Sequence, residues 1–158
     1  MDKIFEIDNT DWQILRLLSA DATLPYTEVA KQVFVSDGTV HARMRKMKQQ
    51  GLIKGAHLVV DYKKLGWDIT AFLGIYLDRS ALYEDVLVRL KEVAEIIDIH
   101  YTTGTYGIFV KLLCRDTNHL RNVLYDKIQK IPGIQRTETF ISLEESLARS
   151  LPILPEKS

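Results

Sequence analysis

The chain of 158 residues has little of what several classes of protein require. It contains one cysteine, Cys114, so no disulfide can form within it, which is typical of a reducing compartment. No apolar run approaches the roughly 20 residues of a membrane-spanning helix. The charged first residues do not resemble a secretion signal. Together these absences favour a soluble cytoplasmic protein without a membrane partner.

The sequence also lacks the patterns of common catalytic and metal sites. Its four histidines show no paired ligand spacing, and the cysteine stands apart from them. There is no glycine-rich phosphate loop and no nucleophile elbow. Asp98 and Glu138 lie on different predicted strands and could meet as a carboxylate pair, but no nucleophile or cofactor cradle accompanies them. We therefore expect no catalytic residue, no metal and no cofactor.

The chain carries no net charge, because 21 basic residues balance 21 acidic ones, but the charges are unevenly distributed. Residues 1–37 hold three basic and seven acidic side chains, whereas residues 38–60 hold five basic ones and no acidic one. The five are Arg43, Arg45, Lys46, Lys48 and Lys54. A short positive segment in a neutral chain is typical of an element that contacts nucleic acid. A solvated helix face has the same composition.

Three short helices are predicted in the first 50 residues. Asp8 is a suitable N-cap for a helix over about 9–19, and Pro25 suits the first position of a second helix. Ser36 is suited to cap a third helix over 37–50, which a glycine follows. A short helix, a tight turn and a capped basic helix are typical of a helix-turn-helix, whose second helix enters the major groove.

The third helix has an apolar and a polar side. Val40, Met44 and Met47 recur at i, i+4 and i+7 and form the apolar stripe, so the polar side faces outward. The residues expected to contact DNA are Ser36, Gly38, Thr39, His41, Arg43, Arg45 and Lys48. Two of them keep an alternative interpretation. His41 either contacts DNA or is solvated, and Arg43, beside the stripe, either contacts DNA or stabilises the fold through an acidic partner.

The remaining residues change from helical to mixed periodicity. The predicted strands are 69–77, 96–103, 106–114 and 134–143, with helices over about 82–93 and after a Thr117 cap. The order strand, helix, strand, strand, helix, strand is the ferredoxin-like βαββαβ arrangement. Cys114 ends an apolar strand and is interpreted as a small core residue.

The predicted fold class is α+β. Residues 52–60 alternate around a glycine and predict a small wing or connecting strand. The predicted domains are a winged helix-turn-helix at 1–60, a linker at 61–68, a ferredoxin-like domain at 69–145, and a C-terminal tail at 146–158.

Several separated motifs resemble the Lrp/AsnC, or feast/famine, family of transcription regulators. In the helical part they are IDNTDWQIL at 7–15 and VSDGTVHARM at 35–44, followed by GLIKG at 51–55 and the Leu-Gly pair at 65–66. YTTGTYGIFVK at 101–111 resembles the family's effector-domain motif. KIQKI at 127–131 and IQRTET at 134–139 resemble its asparagine-responsive branch. The resemblance covers about residues 7–143, with the motifs in the family's order.

The resemblance implies a regulator that binds double-stranded DNA, dimerises, assembles into octamers and binds a small amino acid between dimers. Asparagine is the first choice of effector. We expect its site at the turn 101–106, near the fourth strand of a neighbouring subunit, where Glu138 would receive the ligand's ammonium group. The expected effector-binding residues are Tyr101, Thr102, Thr103, Gly104, Tyr106, Gln135, Thr137 and Glu138. A plain hairpin, with Glu138 paired to Arg136, is the alternative.

Two residues depart from the family pattern. Gly107 stands where most members have an acidic residue, and Phe34 replaces the glycine common in the helix-turn-helix turn. A bulky residue at positive φ is strained, so we expect this turn to differ locally.

Two other functions stay open from the residues alone. One is an amino-acid-binding oligomeric module that does not bind DNA, and the other is a small enzyme on a ferredoxin-like scaffold. The positive segment 38–60 favours the regulator over the first, and the missing catalytic constellation disfavours the second.

Overall fold

A computed structural model of the chain describes residues 6–153, which divide into two units. The first unit contains the residues up to Val59 and also the segment that begins at Ala148, and the second is Val60–Leu147. The chain therefore leaves the first unit and returns to it. Part of the segment predicted as a separate tail groups with the N-terminal helices, and residues 154–158 lie outside the described residues.

The first unit is helical. Its helices are α1 (Asn9–Ala20), α2 (Tyr26–Val33) and α3 (Asp37–Gln49). The predicted caps are confirmed: the side chain of Asp8 accepts from the backbone of Asp11 in a reciprocal capping box, and Ser36 accepts from Thr39. Pro25 occupies the cap of α2 rather than its first position, which shifts that prediction by one residue.

The turn between α2 and α3 adopts the geometry that glycine favours although it contains Phe34. This residue lies in the left-handed region, with φ 58° and ψ 43°, and within residues 6–153 it is the only non-glycine residue at positive φ. Its side chain is 93% exposed. The expectation of a locally different turn is wrong, because the backbone keeps the left-handed conformation and accepts its strain.

The predicted strand over residues 52–60 does not form. In the described part of the chain this segment is extended but has no strand beside it to supply backbone partners. Leu58 and Val59 are exposed apolar side chains there. Sequence alternation alone cannot predict such a strand, since a strand needs a neighbour.

The second unit is a four-stranded sheet with helices. Its strands are β1 (Ile69–Leu77), β2 (Ile96–Tyr101), β3 (Ile108–Cys114) and β4 (Ile134–Ile141). Its helices are α4 (Tyr83–Leu90) and α5 (Thr117–Asn122), which continues as a π-helical turn over Val123–Ile128. Asp116, not Thr117, caps α5. Two short 3₁₀ turns, Lys63–Leu65 and Ser80–Leu82, precede β1 and α4.

The strand order is β2-β3-β1-β4 and every pairing is antiparallel. The α+β class is thus confirmed. The order also corrects one expectation: Asp98 on β2 and Glu138 on β4 lie at opposite edges, with two strands between them, so they do not form a carboxylate pair.

The two faces of the sheet differ because successive strand residues point to opposite sides. One face packs under the helices and buries residues such as Leu73, Val110 and Cys114. Burial raises the pKa of the Cys114 thiol to about 11, as expected of a core cysteine. Among the described residues of the second unit, no helix packs on the other face, here called the open face, which carries the aromatic cluster Phe72, Tyr76, Tyr106, Phe109 and Phe140.

Candidate functional site

Helix α3 presents an exposed basic side. Val40, Met44 and Met47 are buried in the helical core, as the spacing predicts. Gly38, His41, Arg45 and Lys48 are exposed, whereas Thr39 and Arg43 are half-buried. Since the core lies under one side of α3, the exposed side is the part of this helix that is free to contact a partner.

Two exposed residues of this surface, Ala42 and Lys46, were not among those expected to contact DNA. Ala42 lies one turn after Gly38, and Lys46 lies one turn after Ala42, so both share the exposed side. They line an open groove of about 780 Å³ that runs past Ser36, Gly38 and Thr39 to the start of α1. Their helical spacing relative to Gly38 was the pattern that could have identified them.

The first turn of α3 is closed by its own hydroxyl groups. Ser36 Oγ accepts from the Thr39 N–H at 3.1 Å and shares a 2.8 Å hydrogen bond with Thr39 Oγ1. Gly38 lies beside them with open space around it, because the nearest atom to a Cβ built there is Ser36 Oγ at 3.9 Å. The small profile of this turn permits close approach of a phosphate or a base edge.

Arg43 is engaged inside the protein. Its Nη1 donates to Asp8 Oδ2 at 2.6 Å and to Asp11 Oδ1 at 2.8 Å, which joins α3 to the start of α1. A hydrogen bond from the Asp11 backbone, followed by one from Arg43, lowers the pKa of Asp8. The contacts support the stabilising interpretation of Arg43. They also neutralise two carboxylates beside the groove, which would otherwise repel phosphates.

His41 makes contacts within its own unit. Its ring meets the edge of Tyr26 with 4.7 Å between centroids, and its Nε2 lies 3.8 Å from Asp37 Oδ2. These contacts hold the imidazole on the exposed side of α3, where it either contacts DNA or is solvated, as the sequence predicts.

In the second unit, the turn between β2 and β3 is a closed hairpin. Thr102 N–H donates to Gly107 O at 3.2 Å, and Thr102 Oγ1 donates to Tyr106 O at 2.8 Å. The Tyr101 ring packs on Tyr83 at 4.4 Å. Gly104 has φ 98°, a conformation that other residues rarely adopt. Thr103 and Gly104 are exposed, so they form the accessible part of the turn.

Glu138 meets Tyr106 within a single chain. Tyr106 Oη donates to Glu138 Oε2 at 2.7 Å, and Tyr76 Oη donates to Oε1 at 2.9 Å. Arg136 Nη1 lies 3.6 Å from the same carboxylate, as the alternative interpretation expects. The two phenol hydrogen bonds lower the pKa of Glu138, and the bond to Glu138 raises the pKa of Tyr106 to about 12. Glu138 is therefore ionised at neutral pH.

Gly74 makes this arrangement possible. It pairs with Glu138 across β1 and β4, and a Cβ built on it would lie 2.5 Å from Tyr106 Cδ1. Only a glycine lets the Tyr106 ring lie across the sheet at this point. Sequence reasoning missed both Gly74 and Tyr76. A glycine inside an apolar strand, with an aromatic residue two positions later on the same face, was the available indication.

The structure does not bring Gln135 and Thr137 to Glu138. Thr137 pairs with Ile75 and lies on the helix side of the sheet, Gln135 is left without a partner at the register shift of β4, and Glu138 lies on the open face. Thr137 Oγ1 instead accepts from Gln129 Nε2 at 3.2 Å. Within one chain, the predicted effector residues thus fall into the hairpin turn, the Tyr106–Glu138 pair, Thr137 on the helix side and Gln135 at the register shift.

Comparisons with known proteins match both units. Residues 7–48 match the AsnC-type helix-turn-helix domain family, and residues 70–151 match the Lrp/AsnC ligand binding domain family. The chain belongs to the Lrp/AsnC family. As a member of that family, it is a transcription regulator with a helix-turn-helix DNA-binding domain and a domain that binds amino acids.

Individual relatives of this Lrp/AsnC regulator agree over most of their length. The regulatory protein AsnC of Haemophilus influenzae is 44% identical over 145 residues, which cover 92% of this chain and 97% of the relative. AsnC of Escherichia coli is 45% identical, and the matched residues cover 95% of its length. The solved structure of E. coli AsnC superposes with a TM-score of 0.89 at 43% identity, covering 94% of this chain and 99% of that one.

A more distant structure shares the fold. The Neisseria meningitidis transcriptional regulator NMB0573, solved in complex with L-Met, has a TM-score of 0.86 at 18% identity, covering 95% of this chain and 97% of that one. The AsnC relatives are named as regulators rather than enzymes. Among residues 6–153 of this Lrp/AsnC chain, no helix combines the length and apolar character needed to cross a membrane.

Proposed function

We propose that this regulator contacts double-stranded DNA with the exposed side of α3, and that a small amino acid, asparagine first, changes its assembly and DNA binding. The observation that carries the DNA part is the exposed basic side of α3. In the described part of the chain, Arg45, Lys46 and Lys48 take part in no ion pair, so their charges are available to phosphates. Since its proposed partner is DNA, we expect the protein to act in the cytoplasm.

Within this surface the residues have different roles. Ser36, Gly38 and Thr39 form the narrow first turn. The cap uses the Thr39 N–H, so the Gly38 N–H is the group that approaches a phosphate or a base edge. Arg45 and Lys48 lie further along and hold phosphates, which positions the helix without specifying a sequence. Arg43 acts indirectly, because it neutralises Asp8 and Asp11.

The DNA contact is tested by the salt dependence of binding to promoter DNA. Arg45→Ala is expected to weaken binding and to reduce the slope of log K against log salt by about one. Arg16→Ala is the matched control, because Arg16 is exposed on α1, outside the α3 surface, and should leave the slope unchanged. An Arg45→Ala variant with the wild-type slope would contradict the assignment.

Gly38→Ala tests the close approach of the first turn. The free protein has room for the added methyl group, since its nearest neighbour is 3.9 Å away, and alanine favours the helix. We therefore expect unchanged or slightly higher stability, and at least tenfold weaker DNA binding if a DNA atom lies against this turn. Unchanged DNA affinity would exclude that contact.

We also propose a dimer that assembles further into octamers. The open face supports it, because the exposed Phe140 and four half-buried aromatic residues lie there beside charges of both signs, Arg136 and Glu138. A two-fold interface needs such a self-complementary surface. A dimer also places two α3 helices about 34–36 Å apart on one DNA face, as symmetric operators require.

The dimer is tested by sedimentation of Phe140→Asp and Val88→Asp at micromolar concentration. Both residues are exposed apolar side chains of the second unit, but Val88 lies on α4, on the helix side. Phe140→Asp is expected to sediment as a monomer and Val88→Asp as the wild type. A wild-type monomer, or equal masses for both variants, would refute the interface.

For the effector, we propose the turn 101–106 together with Glu138. An ionised carboxylate suits the ammonium group of an amino acid, and the exposed backbone at Thr103 and Gly104 suits its carboxylate or side-chain amide. Asparagine is first because residues 127–139 resemble the asparagine-responsive branch. The ligand alters DNA binding only as far as its affinity differs between two assemblies.

Calorimetric titration of asparagine tests this site. Gly104→Val places a side chain in the turn, and Gly66→Val is its matched control, because both glycines have positive φ (98° and 83°) and open space at Cβ. The two variants therefore carry a similar backbone strain. Loss of binding in Gly104→Val alone supports the site, whereas equal affinity in both variants places it elsewhere.

A further inference from the structure

We propose that the C-terminal segment, residues 148–153, is a docked element of the DNA-binding unit, and that Ile153 completes the core of its three helices. In the structure this segment groups with the helices and not with the sheet from which it emerges. Ile153 is half-buried and packs against the core that contains Ile14, Val29 and Met47. The surface it covers therefore has a defined occupant, the end of the same chain.

The contact is selective among the apolar residues that follow β4. Leu143, Leu147 and Leu151 are 97%, 68% and 90% exposed, so this stretch as a whole is not collapsed onto the protein. Ile153 alone among these four apolar residues packs against the helical core. A random extended tail would not bury one residue and leave another, two positions away, in solvent.

The helical unit has a reason to need the contact. Its buried core comprises only eight residues, and units of this size bury a smaller fraction of their surface on folding than larger domains do. One further apolar side chain is a substantial addition to so small a core. The domain that binds DNA then includes residues that are separated from α3 by the whole second unit.

The segment between the two units is fixed at both ends. Ser142 N–H donates to Thr70 O at 2.8 Å, and Lys111 Nζ lies 3.0 Å from Glu145 Oε1, so the stretch after β4 is held to the sheet. Ile153 holds the other end to the helices. Residues 60–68 are thus one covalent connection between the units, and residues 146–152 are a second.

This second connection begins at the strand that carries Glu138. Resting on the proposed effector site, we infer that a displacement at the end of β4 reaches the DNA-binding unit through the C-terminal segment as well as through the linker. The segment is then a route by which the amino acid changes DNA affinity.

Hydrogen exchange of the full chain tests the docking. Ile153→Ala is expected to accelerate exchange roughly tenfold at core amides of the helices, such as those of Val29 and Val40, and to leave the β1 and β3 amides unchanged. Leu151→Ala is the matched control, since it removes an exposed leucine from the same segment. Wild-type exchange in Ile153→Ala, or equal acceleration by both variants, would overturn the docking.

Dilution decides which chain supplies the segment. If Ile153 packs on its own chain, the protection of the helix amides from exchange is independent of protein concentration. Protection that falls on dilution would show that a second copy of the chain supplies Ile153, and would overturn the assignment. This readout involves neither DNA nor an amino acid, so it stands or fails separately from the proposed function.

A flexible insertion tests the route. Ten Gly/Ser residues placed between Leu147 and Ala148 relax the connection but keep Ile153 on the chain. We expect wild-type protection of the helices and a clearly smaller effect of asparagine on DNA affinity. An undiminished effect would exclude the route, whereas a wild-type protein that ignores asparagine would instead refute the proposed effector.

Discussion

Replacing Arg43 by alanine separates its structural role from a DNA contact. Its Nη1 donates to Asp8 Oδ2 at 2.6 Å and to Asp11 Oδ1 at 2.8 Å. The Asp11 side chain is only 7% exposed, so the substitution leaves a buried carboxylate without its cation. We therefore expect the substitution to lower the stability of the helical unit, whether or not Arg43 also contacts DNA.

The expected loss lies between two limits. Removing one partner of a fully buried ion pair costs about 3–5 kcal/mol, and an exposed pair contributes about 0.2–1 kcal/mol. Arg43 and Asp8 are 29% and 56% exposed, which places this network between the limits. We expect the free energy of unfolding to fall by about 2 kcal/mol, and Tm of a unit this small to fall by about 10 °C.

Trp12 lies on α1 and reports on the helical unit, whereas Trp67 belongs to the second. Melting is therefore followed by fluorescence in a Trp67→Phe background, with Lys46→Ala as control. Lys46 is exposed on the same helix and should melt as the parent does. An Arg43→Ala variant that melts with the parent, yet binds DNA more weakly, would show that the guanidinium contacts DNA and would refute the reasoning.

The same network predicts an acid dependence. The pKa of Asp8 in the folded chain is below its usual value of 3.8, because the Asp11 backbone and Arg43 bind its carboxylate. Its contribution to stability is therefore complete above the unfolded pKa and is lost as the pH falls through the folded one. The difference in stability between the parent and Arg43→Ala should shrink below about pH 4. A difference that stays constant into acid would exclude this linkage.

Three further substitutions or reactions have defined outcomes. Phe34→Gly should raise the free energy of unfolding by about 0.5–1 kcal/mol, because a glycine adopts a φ of 58° without strain and the side chain that is lost is 93% exposed. A less stable variant would show that the Phe34 ring packs against the protein in solution. Gly74→Ala should displace the Tyr106 ring and lower the pKa of the Tyr106 phenol from about 12 towards its ordinary value of 10. Ultraviolet titration measures this pKa, and an unchanged titration would contradict the contact between residue 74 and the Tyr106 ring. Cys114, whose burial raises its pKa to about 11, should resist thiol reagents at pH 8 until the chain is denatured, and rapid native labelling would refute its burial.

Local patterns predicted the elements whose boundaries are set locally. The strand β1 begins and ends where predicted, because an uninterrupted apolar run at Ile69–Leu77 lies between Asp68 and Asp78. Asp8 and Ser36 cap their helices as expected, since each is a strong capping residue directly before a helical pattern. Asp116 and Thr117 are adjacent, and both are residues that cap helices. The sequence pattern predicted Thr117 as the N-cap of α5, whereas Asp116 is the N-cap in the structure.

Features that depend on pairing between distant segments of the chain were harder to predict from the sequence. The strand β2 ends two residues earlier than predicted and β3 begins two residues later, because Thr102 bonds back to Tyr106 and Gly107 and closes a turn between them. The Tyr106–Glu138 pair depends on the register that sets Gly74 opposite Glu138, which no single segment encodes. The exposed side of α3 was predictable because the apolar stripe of this helix alone orients it.

The central position of β1 has a consequence for synthesis of the chain. Its partners, Ile108–Cys114 and Ile134–Ile141, are made long after it, so the uncharged run ITAFLGIYL is unpaired on both sides during that interval. Apolar strands without charge are the segments that aggregate in nascent chains. Once the sheet is complete, β2 and β4 form its edges and this run has no free edge. Stalling of the ribosome between residues 77 and 141 is therefore expected to leave the most aggregation-prone strand of the second unit unprotected.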